Sequence, residues 1–339
     1  MNTKNFKTIV DNHFRLIPKP RIEILGYILF TDGRAIFTDL ETWIEQPTNI
    51  VGTYCYHRDD IKSLCIEYPN TDVEFTERGI ILPNGNIFKS IVIDPQDFPK
   101  TPDVPFGGLL LTPYTQAKLR ELAPMVNTDK PFPVLHMQHI YIDKGTAVAT
   151  NSNLMGWRGE LGLAELTGFI PPHFFSYMDK KAEYSILFNS YKEADEYNVS
   201  GWVHIWNRDI SLKWQYTGRK FPNWKSVIPD YTDATNIYIP TNLLVDYLKK
   251  VQDMAKLIKQ VFTYIKIEPT KLTWEDKDYD KELTQEVELG EFEPFYLDVK
   301  HLLLLIDKSK YSTHLEYLEK RGAVKVNDNH IIMPIIPKQ

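Results

Sequence analysis

A chain of 339 residues is too long for one ordinary core and suits two or three domains of about 100–150 residues each. With 43% hydrophobic and 25% charged residues it has the make-up of an ordered globular protein. No apolar run approaches the roughly 20 residues that cross a bilayer. A formal net charge of −6 argues against a general basic coat for nucleic acid, yet allows basic residues confined to one face.

The N-terminus, Met1-Asn-Thr-Lys-Asn-Phe-Lys, lacks the apolar region of a secretory signal, so residence in the cytoplasm is expected. Cys55 and Cys65 read as buried thiols rather than a disulfide or a metal pair. Residues 4–14 place Phe6, Ile9, Val10 and Phe14 on a helical stripe. Strands are expected at Ile22–Phe30 and Arg34–Asp39, joined by the hairpin signal Thr31-Asp32-Gly33. A helix over Tyr56–Tyr68 carries Ile61, Leu64 and Cys65. Strands at Asp72–Thr76, Gly79–Leu82 and Ile87–Ile93 precede a proline-rich linker, Asp94–Pro102.

The order then recurs. A helix over Thr112–Val126 has a threonine N-cap and Pro113 at its first position. A strand over Val134–Ile142, the turn Asp143-Lys144-Gly145 and a strand over Thr146–Thr150 follow. A second helix starts at Pro171-Pro172-His173, and strands run from Tyr184 to Tyr216. Residues 216–229 read as a second linker, with Phe221 and Trp224 as aromatic pins around Pro222. A third pass opens with a helix after Pro240-Thr241. Strands are expected at Val261–Ile267 and Lys271–Trp274, an exposed acidic hairpin or loop at Glu275–Glu291, and a helix at Asp298–Ile306. The final strands fall near Leu315–Leu318, Ala323–Val326 and His330–Ile335. Three passes at a period of roughly 110 residues suggest an internal repeat.

No Gly-rich phosphate loop, Gly-x-Ser-x-Gly elbow or His-Glu-x-x-His is present. His136 and His139, three apart in the expected strand, would point to opposite faces and could not share a metal. Asp276, Asp278 and Asp280 alternate but lack the glycine and distal glutamate of a calcium loop. Asp59 and Asp60 open a helix, where the helix dipole favours acids. The basic residues of the expected helices and their flanks include Lys4, Lys7, Arg15, Lys19, Arg21, Arg58, Lys62, Lys118, Arg120, Lys180, Lys181, Lys249, Lys250, Lys256, Lys259, Lys300, Lys308 and Lys310. An acidic chain with basic helices suits a protein that encircles a polyanion.

Four segments carry a resemblance. Gly33-Arg-Ala-Ile-Phe-Thr-Asp-Leu-Glu41, Ala147-Val-Ala-Thr-Asn-Ser-Asn-Leu-Met155, Lys220-Phe-Pro-Asn-Trp-Lys-Ser-Val-Ile-Pro229 and Ile331-Ile-Met-Pro-Ile335 are each similar to a motif of the bacterial DNA sliding clamps, the β subunits of DNA polymerase III. That resemblance implies an α+β chain of three repeated clamp-type domains, 1–104, 105–232 and 233–339, with helices lining an inner face and antiparallel sheets outside. It implies a head-to-tail homodimeric ring around double-stranded DNA, with no active site, no cofactor and no metal. DNA polymerase and the clamp loader would dock by short peptide motifs.

Carried over position by position, the peptide pocket would use Leu135, Thr150, Ser152, Asn153, Met155, Pro229, Ile331, Met333, Pro334 and Ile335. The DNA-facing residues would be Lys19, Arg21, Arg58, Lys62, Lys118, Arg120, Lys180, Lys181, Lys249, Lys250, Lys256 and Lys259. Asn151-Ser152-Asn153-Leu154 stands where the family has Asp-Gly-His-Arg. The alternatives are a clamp-fold binding protein that no longer binds DNA, and a hydrolase whose site is assembled only in space.

Overall fold

A computed structural model describes residues 2–103, 107–127, 135–193, 197–260, 262–276, 279–319 and 322–335. Val134, Val261, Asp278 and the segment 336–339 lie outside the described residues. Among the described residues six α-helices occur in chain order: α1 Thr3–Leu16, α2 Arg58–Glu67, α3 Pro113–Leu122, α4 Leu135–Gln138, α5 Thr241–Leu257 and α6 Val299–Leu305. The chain forms two compact units, residues 1–117 with 165–219, and residues 118–164 with 220–339. These units cut across the sequence boundaries at 104/105 and 232/233.

In the first unit eight antiparallel strands run side by side. Their order is Tyr54–His57, Tyr27–Thr31, Arg34–Thr38, Thr42–Pro47, Ser211–Arg219, Asn198–Trp206, Tyr184–Glu193 and Leu109–Leu111. The junction between Thr42–Pro47 and Ser211–Arg219 pairs Glu45 with Ser211 and Ile44 with Leu212. Buried Glu45 straddles it, accepting from Lys213 at 2.5 Å and Arg34 at 2.9 Å. The hairpin Asp32-Gly33 takes positive φ at both positions, as a two-residue turn between twisted strands requires.

Helix α1 buries Phe6, Ile9 and Val10, the apolar stripe read from the sequence. The Phe6 ring meets Phe30 edge-on at 6.0 Å and Phe75 at 5.1 Å. Ile61 and Leu64 of α2 are fully buried. A separate three-stranded sheet is formed by Glu74–Thr76, Gly79–Ile81 and Ile87–Phe88. Burial pushes the Cys55 thiol up to about 12 and that of Cys65 up to about 11, and both are free.

In the second unit seven strands follow in the order Ile140–Asp143, Thr146–Thr150, Leu154–Arg158, His330–Ile332, Ala323–Val326, Ser312–Leu318 and Thr235–Pro240. A four-stranded sheet has the order Lys281–Glu286, Lys271–Asp276, Tyr264–Glu268 and Phe295–Asp298. The acidic stretch is therefore the outer arm of a hairpin. Helix α5 buries Leu244, Leu248 and Val251, and α6 buries Val299, Leu302 and Leu305. Each such leucine removed from water contributes about 1.5–3 kcal/mol. Among the described residues, no helix is long and apolar enough to cross a membrane.

Several expectations need correcting. Tyr56 and His57 end a strand, and the helix begins at Arg58. Residues Leu135–Gln138 are helical and the strand starts only at Ile140, so the opposite-face argument for His136 and His139 does not apply. Leu, Met and Gln are good helix formers, and no β-branched residue interrupts them. The helix expected from Pro171 is a 3-10 turn, Pro172–Ser176, too short to propagate.

Arg58 is the largest departure, because it is buried rather than presented to solvent. Its guanidinium donates to the carbonyls of Ile17 and Pro18 just beyond α1, meets His13 Nδ1 at 3.2 Å and stacks 4.1 Å from the Phe14 ring centre. It satisfies carbonyls that the end of a helix leaves orphaned. Arg58→Ala should cost about 2–4 kcal/mol in urea unfolding, because two carbonyls lose a charged donor. An unchanged midpoint would contradict this role.

His13, fully buried beside Arg58, has its pKa lowered to about 3, first by desolvation and then by the arginine's charge. The unfolded chain binds this proton near pH 6.5, whereas the folded chain resists it. The stabilisation is thus complete above pH 6.5 and is lost as pH falls toward 3. His13→Gln should flatten the decline in unfolding free energy between pH 6.5 and 4.5 by about one bound proton, about 1.4 kcal/mol per pH unit. An unaltered slope would exclude it.

Candidate functional site

Strand pairing in the second unit builds a cleft. In the hairpin formed by Thr146–Thr150 and Leu154–Arg158, Thr150 lies opposite Met155. Across the next junction Met155 lies opposite Ile331. Directly opposed residues share a face, so Thr150, Met155 and Ile331 form one row across three strands. Met333, two residues beyond Ile331, falls on the same side. Gly156 lets this strand lie close to its backing, where an added Cβ would collide with Met125 Sδ and His330. That clash is the reason for glycine here.

The turn 151–153 forms the polar rim. Thr150 Oγ1 donates to the Leu154 carbonyl at 2.8 Å and accepts from Ser152 N–H at 3.2 Å. Ser152 adopts φ +76°, a left-handed conformation that a non-glycine residue holds only when its surroundings enforce it. Opposite the rim stands the segment after Arg219. Phe221 stacks on Tyr141 at 4.7 Å with an interplanar angle of 5°. Trp224 opens a 3-10 turn, Trp224–Val227, and its indole N–H donates to Asp143 Oδ2 at 3.0 Å. Lys225 Nζ lies 3.7 Å from the same carboxylate.

The resulting cleft holds about 250 Å³ and is lined by Met137, Thr150, Ser152, Asn153, Leu154, Met155, Phe221, Pro222, Trp224, Val227, Ile331 and Met333. None of these side chains is charged. Such a surface suits one or two apolar side chains flanked by an extended backbone that the rim can hydrogen-bond.

Six of the ten positions expected here line the cleft: Thr150, Ser152, Asn153, Met155, Ile331 and Met333. Leu135 opens α4, but its side chain lies outside the described residues. Pro229, Pro334 and Ile335 stand outside the lining, with Ile335 N–H bonded to the Tyr296 carbonyl at 2.9 Å. The sequence reading made Pro229 a wall and left Phe221 and Trp224 as pins. Both rings are pinned, to Tyr141 and Asp143, and they also line the cleft, whereas Pro229 does not. Their aromatic character on either side of Pro222 was the available signal.

The basic residues expected to face DNA fall on helices, turns and connecting segments of both units. Lys249, Lys250 and Lys256 are exposed on α5, the last 3.5 Å from Asp253. Lys259 follows the helix in a left-handed conformation. Lys62 is exposed on α2, while Lys19 and Arg21 occupy the exposed stretch beyond α1. Lys118 and Arg120 are half-buried on α3, Lys118 pairing with Glu121 at 3.2 Å. Lys180 and Lys181 sit in a turn rather than a helix. Among the described residues, no group of three His, Cys, Asp or Glu side chains could hold a metal ion.

This arrangement of helices and edge-joined antiparallel sheets is the DNA sliding-clamp fold. The β subunit from the DNA polymerase of Streptococcus pyogenes superposes with a TM-score of 0.79 at 14% identity, covering 99% of this chain and 98% of that one. DNA polymerase III β subunit of Thermotoga maritima gives 0.74 at 17% identity over 100% and 99%. The Helicobacter pylori β clamp, solved bound to a DNA ligase peptide, gives 0.73 at 11% identity over 99% of each chain. No protein-family model and no curated protein sequence matches the chain.

Asp143→Ala should destabilise the protein by about 1–2 kcal/mol in urea unfolding, since the buried Trp224 N–H loses its acceptor. Asp143→Asn, which keeps an acceptor oxygen, should recover most of that. Equal stability of all three proteins would show that the bond does not hold this wall.

Proposed function

We propose that this chain is a DNA sliding clamp, a non-enzymatic processivity factor that encircles duplex DNA and works in the cytoplasm. It would tether a polymerase, a clamp loader or other replication and repair proteins through peptides docked in the apolar cleft. The observation that carries this reading is the clamp fold along the full length of both chains. A cleft without charged lining on that fold supports peptide docking, in which a few apolar anchors supply most of the energy.

Unpaired strand edges support assembly with a second copy. Two junctions repeat one pattern: Thr42–Pro47 meets Ser211–Arg219, and Leu154–Arg158 meets His330–Ile332. A third instance of the pattern would bring Lys281–Glu286 to Ile87–Phe88. Among the described residues neither strand pairs on its outer side. Such edges invite another strand. Ile87, Ile91 and Val92 are exposed beside one edge, with Lys89 among them, while Glu282 and Glu286 flank the other. A head-to-tail pair of chains would satisfy both edges twice and close a ring.

A second reading, a clamp-fold binding protein without a DNA role, draws on the burial of Arg58 and the reduction of the 172–176 helix to one turn. Retention on closed circular plasmid through gel filtration separates the two. A clamp should stay with the circle and fall away once the plasmid is linearised. The Lys249→Glu, Lys250→Glu, Lys256→Glu triple variant should lose most of that retention, since backbone contacts to phosphate carry it. Equal behaviour on circular and linear DNA would reject the clamp reading.

A further inference from the structure

Asn151 opens the turn that forms the rim of the cleft. Its Oδ1 accepts from the backbone N–H groups of Asn153 and Leu154, both at 3.0 Å. Those two donors settle which end of the amide is oxygen. The NH2 end is therefore turned outward, where it lies 3.4 Å from Nε2 of His301. An amide NH2 can only donate, so in this contact Nε2 is the acceptor.

Nδ1 in turn lies 3.6 Å from Asp298 Oδ1. The same oxygen caps α6 by accepting from His301 N–H at 2.7 Å. Asp298 and His301 are mostly shielded, their side chains 18% and 20% exposed. A polar link thus runs from His301 of α6 through Asn151 into the backbone of the turn. It joins residues 150 positions apart within the second unit.

The turn bears on two walls of the cleft. Ser152 and Asn153 line it directly, and the Asn153 carbonyl accepts from Met333 N–H at 2.9 Å, which anchors the opposite strand's continuation. Ser152 holds a left-handed φ of +76° within this turn.

We propose that His301 is a positioning residue for the cleft: without lining it, the imidazole fixes Asn151, and through it the rim that chooses which peptides dock. The consequence for docking rests on the cleft being a peptide site. The effect on the turn does not.

The test uses the full-length protein with His301→Leu, His301→Gln and Asn151→Ala, each checked for an unchanged global unfolding midpoint. Amide hydrogen exchange at Asn153, Leu154 and Met333 reports the turn in the free protein. Binding of the uncharged probe acetyl-Ala-Leu-Ser-Leu-Phe-amide reports the cleft. His301→Leu should speed exchange at these amides and weaken the probe, each by about five- to tenfold, as losing one shielded hydrogen bond allows. His301→Gln, whose Oε1 can accept from the Asn151 NH2, should restore most of both. His301→Leu placed on Asn151→Ala should add little, because the two act in series.

Wild-type exchange rates in His301→Leu, or a glutamine variant no better than leucine, would overturn the proposal. Should the exchange pattern hold while the wild-type protein ignores the probe, the turn-positioning role stands and the docking reading is what fails.

Discussion

Strand edges govern this molecule. A β-strand that ends a sheet leaves a row of backbone donors and acceptors unpaired, and the chain resolves two such edges by joining sheets end to end. The first junction, between Thr42–Pro47 and Ser211–Arg219, brings together segments more than 160 residues apart and pins them with Glu45, Lys213 and Arg34. The shielded Glu45 carboxylate is tolerated because the equally shielded Lys213 pairs with it across the seam. The second junction joins Leu154–Arg158 to His330–Ile332.

The cleft is a by-product of that second junction. Register alone puts Met155 beside Ile331, and the neighbouring hairpin adds Thr150 to the row. A slip of one residue at this junction would turn Ile331 away from Met155 and break the row. The aromatic segment Phe221–Trp224 then roofs one side, held by a ring stack on Tyr141 and a hydrogen bond to Asp143. Sheet continuity and the binding surface therefore depend on the same backbone pairing.

Much of this was legible in the sequence. The stripe Phe6, Ile9, Val10 and the Asp32-Gly33 turn are local signals with local causes, and helix and hairpin appear where they point. Strands read from alternation also recur, because a half-buried strand must alternate. Legibility fails where long-range contacts decide. Arg58 looks like any helix-borne surface arginine until the carbonyls of Ile17 and Pro18 and the ring of Phe14 surround it. Nothing local ties Asn151 to His301, since the bond depends on where α6 lies. Phe221 and Trp224 read only as pins because a single chain shows their size and not the cleft that they also line.

Among the described residues, Lys281–Glu286 and Ile87–Phe88 leave their outer sides unpaired, and the proposed clamp depends on a second copy covering them. Sedimentation equilibrium of the full-length protein measures this directly. The account predicts a species of twice the chain mass that shifts toward monomer when Ile87 and Ile91 are replaced by aspartate. A strict monomer at micromolar concentration, with no closed assembly in particle images, would contradict it.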